Sequence, residues 1–222
     1  MTAPIKLDHI IADREVQAYL KTADSSFAAM GYKEHGTRHA LLSANISGNV
    51  LKFLGYDERE CELARIAGYL HDMGNAISKN DHAQNGAVLS LDILERIPVA
   101  YEDIFRIISA IGSHEDKDLD PPSPIAAAVI LGDKTDVHLT RVRSVQGAPL
   151  DTHGRVNYAC QKTFLRVNKE TRTISLELTI DTDTCSVFDY FEIFLSRTQY
   201  CRKASRALGC EFVLYINKDK FL

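Results

Sequence analysis

No apolar run in this 222-residue sequence is long enough to cross a bilayer: the longest, Ile125 to Leu131, falls far short of the roughly 20 residues a span requires. The opening residues, MTAPIKLDHI, lack the basic-then-apolar layout of a signal peptide. A soluble, cytoplasmic protein without a membrane partner is therefore expected. Cysteine is scarce and odd in number. Cys61, Cys160, Cys185, Cys201 and Cys210 form no C-x-x-C pair and sit in apolar surroundings, which points to buried thiols rather than disulfides or a zinc knuckle. A dense basic field is also missing. The chain has 26 Lys+Arg against 30 Asp+Glu, divided 15 against 21 up to Leu150 and 11 against 9 after it, so neither part supplies the positive groups that nucleic-acid phosphates demand. Nucleic acid is not an expected partner. There is no internal repeat and no low-complexity tract.

What is present is ordinary globular composition, 45% hydrophobic and 25% charged. The first two thirds carry helical periodicity. Asp57-Glu58-Arg59-Glu60 has the form of a capping box, and Leu63, Ile66, Ala67 and Leu70 follow on one face of a helix expected to run to Asp72 and stop near Gly74. Ser123-Pro124 places a cap residue before a proline suited to a first turn, with Ala126, Ile130 and Val137 on one stripe. Further helices are expected over Asp13–Gly31, Thr37–Leu54, Asp81–Arg96 and Tyr101–Ser113.

Turn formers take over at Ser144–Gly154, which marks a linker between a helical domain (1–146) and a small C-terminal domain (155–222). Beyond it Ile174, Leu176, Leu178 and Ile180 alternate with polar residues, as in a strand with one buried face. A strand over Tyr158–Val167 joins it through Asn168-Lys169-Glu170-Thr171 as a hairpin. A long helix from Val187, closed by Gly209, and a strand over Glu211–Ile216 complete a β-β-α-β tail. The expected fold class is thus mainly α: an all-helical bundle followed by a small α+β domain.

Chemistry concentrates at His39, His71-Asp72, His82, His114 and Asp133. His71-Asp72 alone says little at this composition. Position says more, because each candidate lies on, or at the end of, a different expected helix. Asp133 shares the stripe of Ala126, Ile130 and Val137, so its carboxylate points into the core, where it must either take a proton or find a cation. His39 heads the stripe of Leu42, Ile46, Val50 and Phe53, and His114 ends that of Ile104, Ile107 and Ile111. Imidazoles and carboxylates converging from separate helices are a donor set for a divalent metal.

The order His39, His71-Asp72, His82, His114, Asp133 resembles the HD-domain superfamily of metal-dependent phosphohydrolases, in the form whose extra histidines hold two metals. The segments Thr37-Arg38-His39, Leu70-His71-Asp72-Met73-Gly74, Asp81-His82-Ala83-Gln84-Asn85-Gly86, Ala110-Ile111-Gly112-Ser113-His114 and Leu131-Gly132-Asp133-Lys134 carry the likeness, which covers Arg38 to Val137. The resemblance implies an all-helical HD-type bundle in which His39, His71, Asp72 and Asp133 hold one ion and Asp72, His82 and His114 the second. It further implies hydrolysis of a phosphate ester or anhydride by water activated between the two ions. Imidazole and carboxylate donors without thiolate place iron or manganese ahead of magnesium, nickel, cobalt or zinc. The cyclic-di-GMP-hydrolysing branch is disfavoured, since Asn75 replaces the lysine of H-D-x-G-K and no G-Y-P occurs. Members cleaving dinucleoside polyphosphates are more similar.

Around this set, Asp72 and Lys134 are the candidate catalytic residues, and Lys134, Arg141 and Arg38 the candidate substrate-binding ones. Lys134 and Arg141, seven residues apart, would share a helix face beside Asp133 and hold a phosphate. His9, His35, His138 and His153 are assigned surface or structural roles. The acidic run Glu115–Asp120 reads as a solvated connection, and Arg197, Arg202, Lys203 and Arg206 as the wet face of the tail helix. The expected partners are a small phosphorylated substrate, in the first instance a nucleotide, and a second copy of the chain. The alternative is a regulatory HD module that signals through its tail.

Overall fold

The computed structural model describes residues 5–29, 33–143 and 152–222. Seven helices occupy the described part of the first two thirds: α1 (Leu7–Ile11), α2 (Arg14–Ala29), α3 (Thr37–Leu54), α4 (Glu58–Leu70), α5 (His82–Glu95), α6 (Tyr101–Ser113) and α7 (Pro124–Lys134). The caps expected from sequence set two of the boundaries. Asp57 accepts from the Glu60 backbone N–H (2.8 Å) and Ser123 from that of Ala126 (3.1 Å), but Glu60 directs its carboxylate to Arg106 instead of reaching back. Helix α1 was not expected, being too short to show a period. The expected stop of α2 at Gly31 lies outside the described residues.

Close packing of three helices frames the site. A Cβ on Gly132 of α7 would lie 2.6 Å from the Ser43 carbonyl, and one on Gly68 of α4 would lie 2.9 Å from the same oxygen. Both helices therefore press their backbones onto one turn of α3, which brings the ends that carry His39, His71 and Asp133 together. The interior behind them is apolar, with Ala64, Ile66, Leu131 and Val129 fully buried.

The tail departs from expectation in three places. Thr152–Ala159 is a helix, α8, where the turn formers of the linker and the start of a strand were expected; Val156 and Ala159 are buried, and Asn157 donates to the His153 carbonyl (2.8 Å). Tertiary burial thus overrides weak local preference. The rest of the linker and the proposed boundary at residue 146 lie outside the described residues. Strands β1 (Cys160–Asn168) and β2 (Thr173–Ile180) form the expected antiparallel hairpin, then α9 (Val187–Ala207) crosses over so that β3 (Glu211–Ile216) pairs parallel to β2. A short fourth strand, β4 (Asp219–Lys220), pairs antiparallel to β3, giving the order β1-β2-β3-β4. Finally, α9 packs along α7 and shares its core. Tyr200 of α9 donates to the Glu115 carbonyl (2.8 Å), and Thr163 of β1 donates to the Val137 carbonyl. No helix among the described residues is long and apolar enough to cross a membrane.

Candidate metal centre

Three histidines reach the site through the same local device. His71 follows α4 and His114 follows α6, each as the residue that closes the helix, and each ring bonds through Nδ1 to the carbonyl three residues earlier: Gly68 at 2.8 Å and Ile111 at 2.6 Å. His82, opening α5, does the same to Lys79 at 3.0 Å. A carbonyl only accepts, so the proton sits on Nδ1 and the Nε2 lone pair is left to face inward. His39, in the first turn of α3, is turned the same way by Asp136, whose Oδ2 accepts from Nδ1 over 2.7 Å.

The four Nε2 atoms converge on two carboxylates. Asp72 presents Oδ2 to His39 (3.5 Å) and His71 (3.4 Å) and Oδ1 to His82 (3.4 Å). Asp133 presents Oδ1 to His39 (3.4 Å) and His71 (3.8 Å). His82 and His114 place their Nε2 atoms 3.2 Å apart. Donors sharing one ion at ~2.1 Å stand roughly 3–3.5 Å from one another, which matches this spacing. Three overlapping groups can each hold a metal: His39, His71 and Asp72; His71, His114 and Asp133; and Asp72, His82 and His114. All six sequence candidates are thus brought together, and the two oxygens of Asp72 face different histidines, as a bridging ligand must.

The residues present fit a metal on an observation independent of any likeness. His39 Nε2 and His71 Nε2 are buried and have no hydrogen-bond partner, a cost tolerated where a cation takes the lone pair. Electrostatics agrees. Burial disfavours charge on His71, yet Asp72 and Asp133 outweigh it and push its pKa up to about 10, so without metal a proton occupies the place of the cation. Burial, with His71 and Lys134 nearby, lowers His114 to about 3 and leaves a neutral imidazole. Burial alone would raise Asp72, but His71 above all holds it well below the carboxylate range. For Asp133, burial is likewise outweighed by Lys134 and His39.

The supporting residues are placed differently from the sequence expectation. Arg141 does not share a helix face with Lys134, because α7 ends at Lys134 and Arg141 closes a separate short turn, 139–141. Its guanidinium is fully buried and donates to the Asp136 carbonyl (3.2 Å) and the Glu34 carbonyl (2.9 Å). Arg38 donates to Asp136 Oδ2 (2.8 Å) and to Glu34 (2.8 Å). Asp136, which sequence reasoning passed over, is therefore the hub that ties His39 to both arginines. His39, Arg141 and Arg38 overcome the effect of burial and keep its carboxyl ionised well below the usual range.

Lys134 is nearly buried between Asp133 Oδ2 (2.7 Å) and Glu115, with its Nζ 5.2 Å from the centre of the Tyr200 ring. Burial works against its charge, but Asp133 and Glu115 hold its pKa above the ordinary lysine value. Glu115 accordingly is not merely part of a solvated loop. Asn75, noted in sequence only for replacing a lysine, donates to Asp72 Oδ1 (2.9 Å). His35 stacks on Phe27 (4.3 Å between centres) beside His39 but belongs to none of the ligand groups. Gly74 permits the close turn after Asp72: a Cβ there would lie 2.0 Å from the His82 carbonyl.

The family model of the HD domain matches residues 36–137, a span that contains all six candidate ligands. Residues 36–137 are an HD domain. The uncharacterized protein MJ1020 of Methanocaldococcus jannaschii is 30% identical over 131 residues, covering 49% of this chain and 51% of its own. Ribonuclease Y of the Aster yellows witches'-broom phytoplasma is 33% identical over 104 residues, 47% of this chain but 18% of its own, and that of Bacillus mycoides is 33% identical over 102 residues, 46% of this chain and 18% of its own. The chain thus spans about half the length of the first relative and under a fifth of the ribonucleases. A crystal structure described as a predicted HD superfamily hydrolase from an uncultured Thermotogales bacterium covers 60% of this chain and 75% of its own, at 19% identity and a TM-score of 0.46. Within the matched span the candidate ligands come from five segments, and the ring orientations of the histidines are set by backbone carbonyls and one carboxylate.

Proposed function

We propose that this protein is a metal-dependent phosphohydrolase that cleaves a phosphate ester or anhydride of a nucleotide or another small phosphorylated metabolite. The observation that carries the reading is the convergence of four histidine Nε2 lone pairs, two of them buried and unpartnered, on two carboxylates. His39, His71, Asp72 and Asp133 would hold one ion, and Asp72, His82 and His114 the other; iron or manganese suits imidazole and carboxylate donors without thiolate. A pair of divalent ions supplies an acidified water and neutralises charge on the phosphoryl oxygens.

The protein's own groups do the rest. Asp136 holds His39 in register, and Arg38 and Arg141 act through Asp136 as positioning residues. Lys134 keeps its proton beside Asp133 and supplies a positive charge where negative charge grows on the transferring group. Asn75 fixes the rotation of Asp72, so its two oxygens stay divided between the two ligand groups. The net charge of -4 and the lack of a basic stripe favour a small substrate over a nucleic acid. The similarity to ribonuclease Y over the HD domain makes a short RNA a necessary arm of the same test. Homodimer formation belongs to this proposal, because β1 is an edge strand with Phe164 55% exposed and Phe188 of α9 is 76% exposed.

The deciding experiment is to load the full chain with Mn²⁺ or Fe²⁺ and offer nucleotides, dinucleoside polyphosphates, simple phosphate esters and a short RNA. Turnover of at least one small phosphate that disappears with Asp72→Ala is expected. Turnover of the RNA alone would replace the small-molecule reading, and stoichiometric metal binding with no turnover of any substrate would favour the regulatory one.

A further inference from the structure

Helix α9 was expected to turn its cations to solvent, but Arg197 does not follow. Its Nη1 is buried and has no hydrogen-bond partner, and its guanidinium carbon lies 5.3 Å from the centre of the Phe194 ring, itself in the core between α9 and the helical bundle. Lys33, from the segment leading into α3, places its Nζ 5.4 Å from the centre of the same ring. Among the described residues neither cation has a carboxylate within salt-bridge distance, in contrast to Lys134, Arg38 and Arg141, which are all paired.

Two cationic groups gathered at one aromatic ring without a counter-ion cannot both keep their charge without cost in a folded chain. Burial, followed by the charges of Arg197 and Arg141, holds the Lys33 ammonium well below the ordinary lysine range, while Asp133 and Asp136 act in the opposite direction. Geometry places the pair near the metal centre: Tyr200, one turn beyond Arg197 on α9, has Lys134 Nζ 5.2 Å from its ring centre, and Lys134 bonds Asp133 Oδ2 over 2.7 Å. This stretch of α9 is tied to the helical part of the chain through the Tyr200 hydrogen bond to the Glu115 carbonyl.

We propose that Lys33 and Arg197 form an anion pocket beside the metal centre, built jointly by the HD domain's entry segment and the tail helix, that takes a phosphoryl group of the substrate other than the one held by the metals. This rests on the phosphohydrolase reading and narrows it to substrates with more than one phosphoryl group. A guanidinium offers two parallel N–H donors to phosphate oxygens and an ammonium adds a point charge, so a bound phosphoryl group supplies the missing counter-ion. The tail thereby becomes part of substrate recognition.

The test is calorimetric titration of inorganic pyrophosphate into the full chain stripped of metal with EDTA, repeated with Arg197→Met, Arg197→Lys and Lys33→Met. Pyrophosphate affinity should fall about tenfold or more in each Met variant and recover in part with Arg197→Lys. The urea midpoint of Arg197→Met should equal or exceed that of the parent, because a buried donor without a hydrogen-bond partner is removed, and this also shows that the variant folds. Parent-like affinity for pyrophosphate in both Met variants would overturn the pocket. Turnover assays with Mn²⁺ separate the two readings. A parent-like KM for a polyphosphate substrate in Arg197→Met removes the pocket and leaves the phosphohydrolase, whereas a loss of pyrophosphate binding in a protein that hydrolyses nothing retains the pocket and removes the phosphohydrolase.

Discussion

Asp136 accepts the Nδ1 proton of His39 over 2.7 Å while its own carboxylate is held by Arg38 and, through the backbone, Arg141. The ring proposed to supply a metal donor on one side is thus anchored to a buried ionic network on the other. Changing Asp136→Asn removes the charge and keeps the shape. Metal affinity should fall about 10- to 100-fold, the usual effect of losing a carboxylate behind a ligating histidine. Stability should fall by about 3–5 kcal/mol because Arg141 is left buried without its counter-ion. Adding Arg141→Met should restore the denaturation midpoint but not the metal affinity, which a paired urea and metal titration would read; joint recovery of both would refute a role for Asp136 in orienting His39.

Asp72 faces ligands of both proposed ions, whereas His82 faces only one set. Asp72→Ala is expected to lose both metal equivalents and all hydrolysis, and His82→Ala chiefly the second. Elemental analysis after dialysis measures this directly. Two retained equivalents in Asp72→Ala would exclude a bridging role.

The proton on His71 predicts a pH dependence. Its pKa is raised from 6.5 to about 10 in the metal-free protein, so ligation must expel that proton, and at pH 8 metal binding should release about one proton per chain. Calorimetric metal titrations in HEPES and in Tris would then differ by the buffers' ionisation enthalpies; identical enthalpies would mean a neutral His71. Because the folded-state pKa is the higher one, the stability it contributes is fully present below about pH 6.5 and is lost as pH rises through about 10. The urea midpoint of EDTA-treated protein should therefore decline over that interval, and metal should abolish the decline.

Gly74→Ala places a methyl group 2.0 Å from the His82 carbonyl, against backbone that cannot swing aside. The start of α5 must move, and His82 with it. We expect a loss of about 1–3 kcal/mol in stability with weakened binding of the second ion. Gly112→Ala is the control, since its nearest neighbour would be an ordinary 3.6 Å away, and it should change metal stoichiometry little.

Removing the tail tests the proposed two-part organisation. A chain ended at residue 146 strips α9 from α7 and uncovers the core they share. Loss of solubility, or a marked drop in thermal midpoint, is the expected result. A soluble fragment of unchanged stability and metal content would show that the helical part folds alone.

Helical period, caps and the β alternation were legible in the sequence because each depends on residues within a few positions of one another. Asp57, Ser123-Pro124 and the Ile174–Ile180 pattern placed their elements to within a few residues. The six metal-ligand candidates were legible for a related reason: each lay on, or at the end of, an expected helix, and several, such as His39, His114 and Asp133, shared or ended an apolar stripe that faces inward. Asp136 gave no such signal, since a carboxylate three residues after Asp133 and just beyond the helix reads as solvated until Arg38, Arg141 and His39 are seen around it. Arg141 was misplaced because the seven-residue spacing assumed that α7 continued past Lys134.

By itself, then, the sequence determined where helices and strands form and which polar residues must leave the solvent, since local hydrogen bonding and periodic burial depend on neighbours along the chain. Only the tertiary structure decided which of those residues meet. The division of Asp72 between two sets of histidines, the network on Asp136 and the pairing of Lys33 with Arg197 across Phe194 depend on how separate helices pack. That packing is set by contacts such as Gly68 and Gly132 on Ser43, whose partners lie too far apart in the chain for any local pattern to announce them.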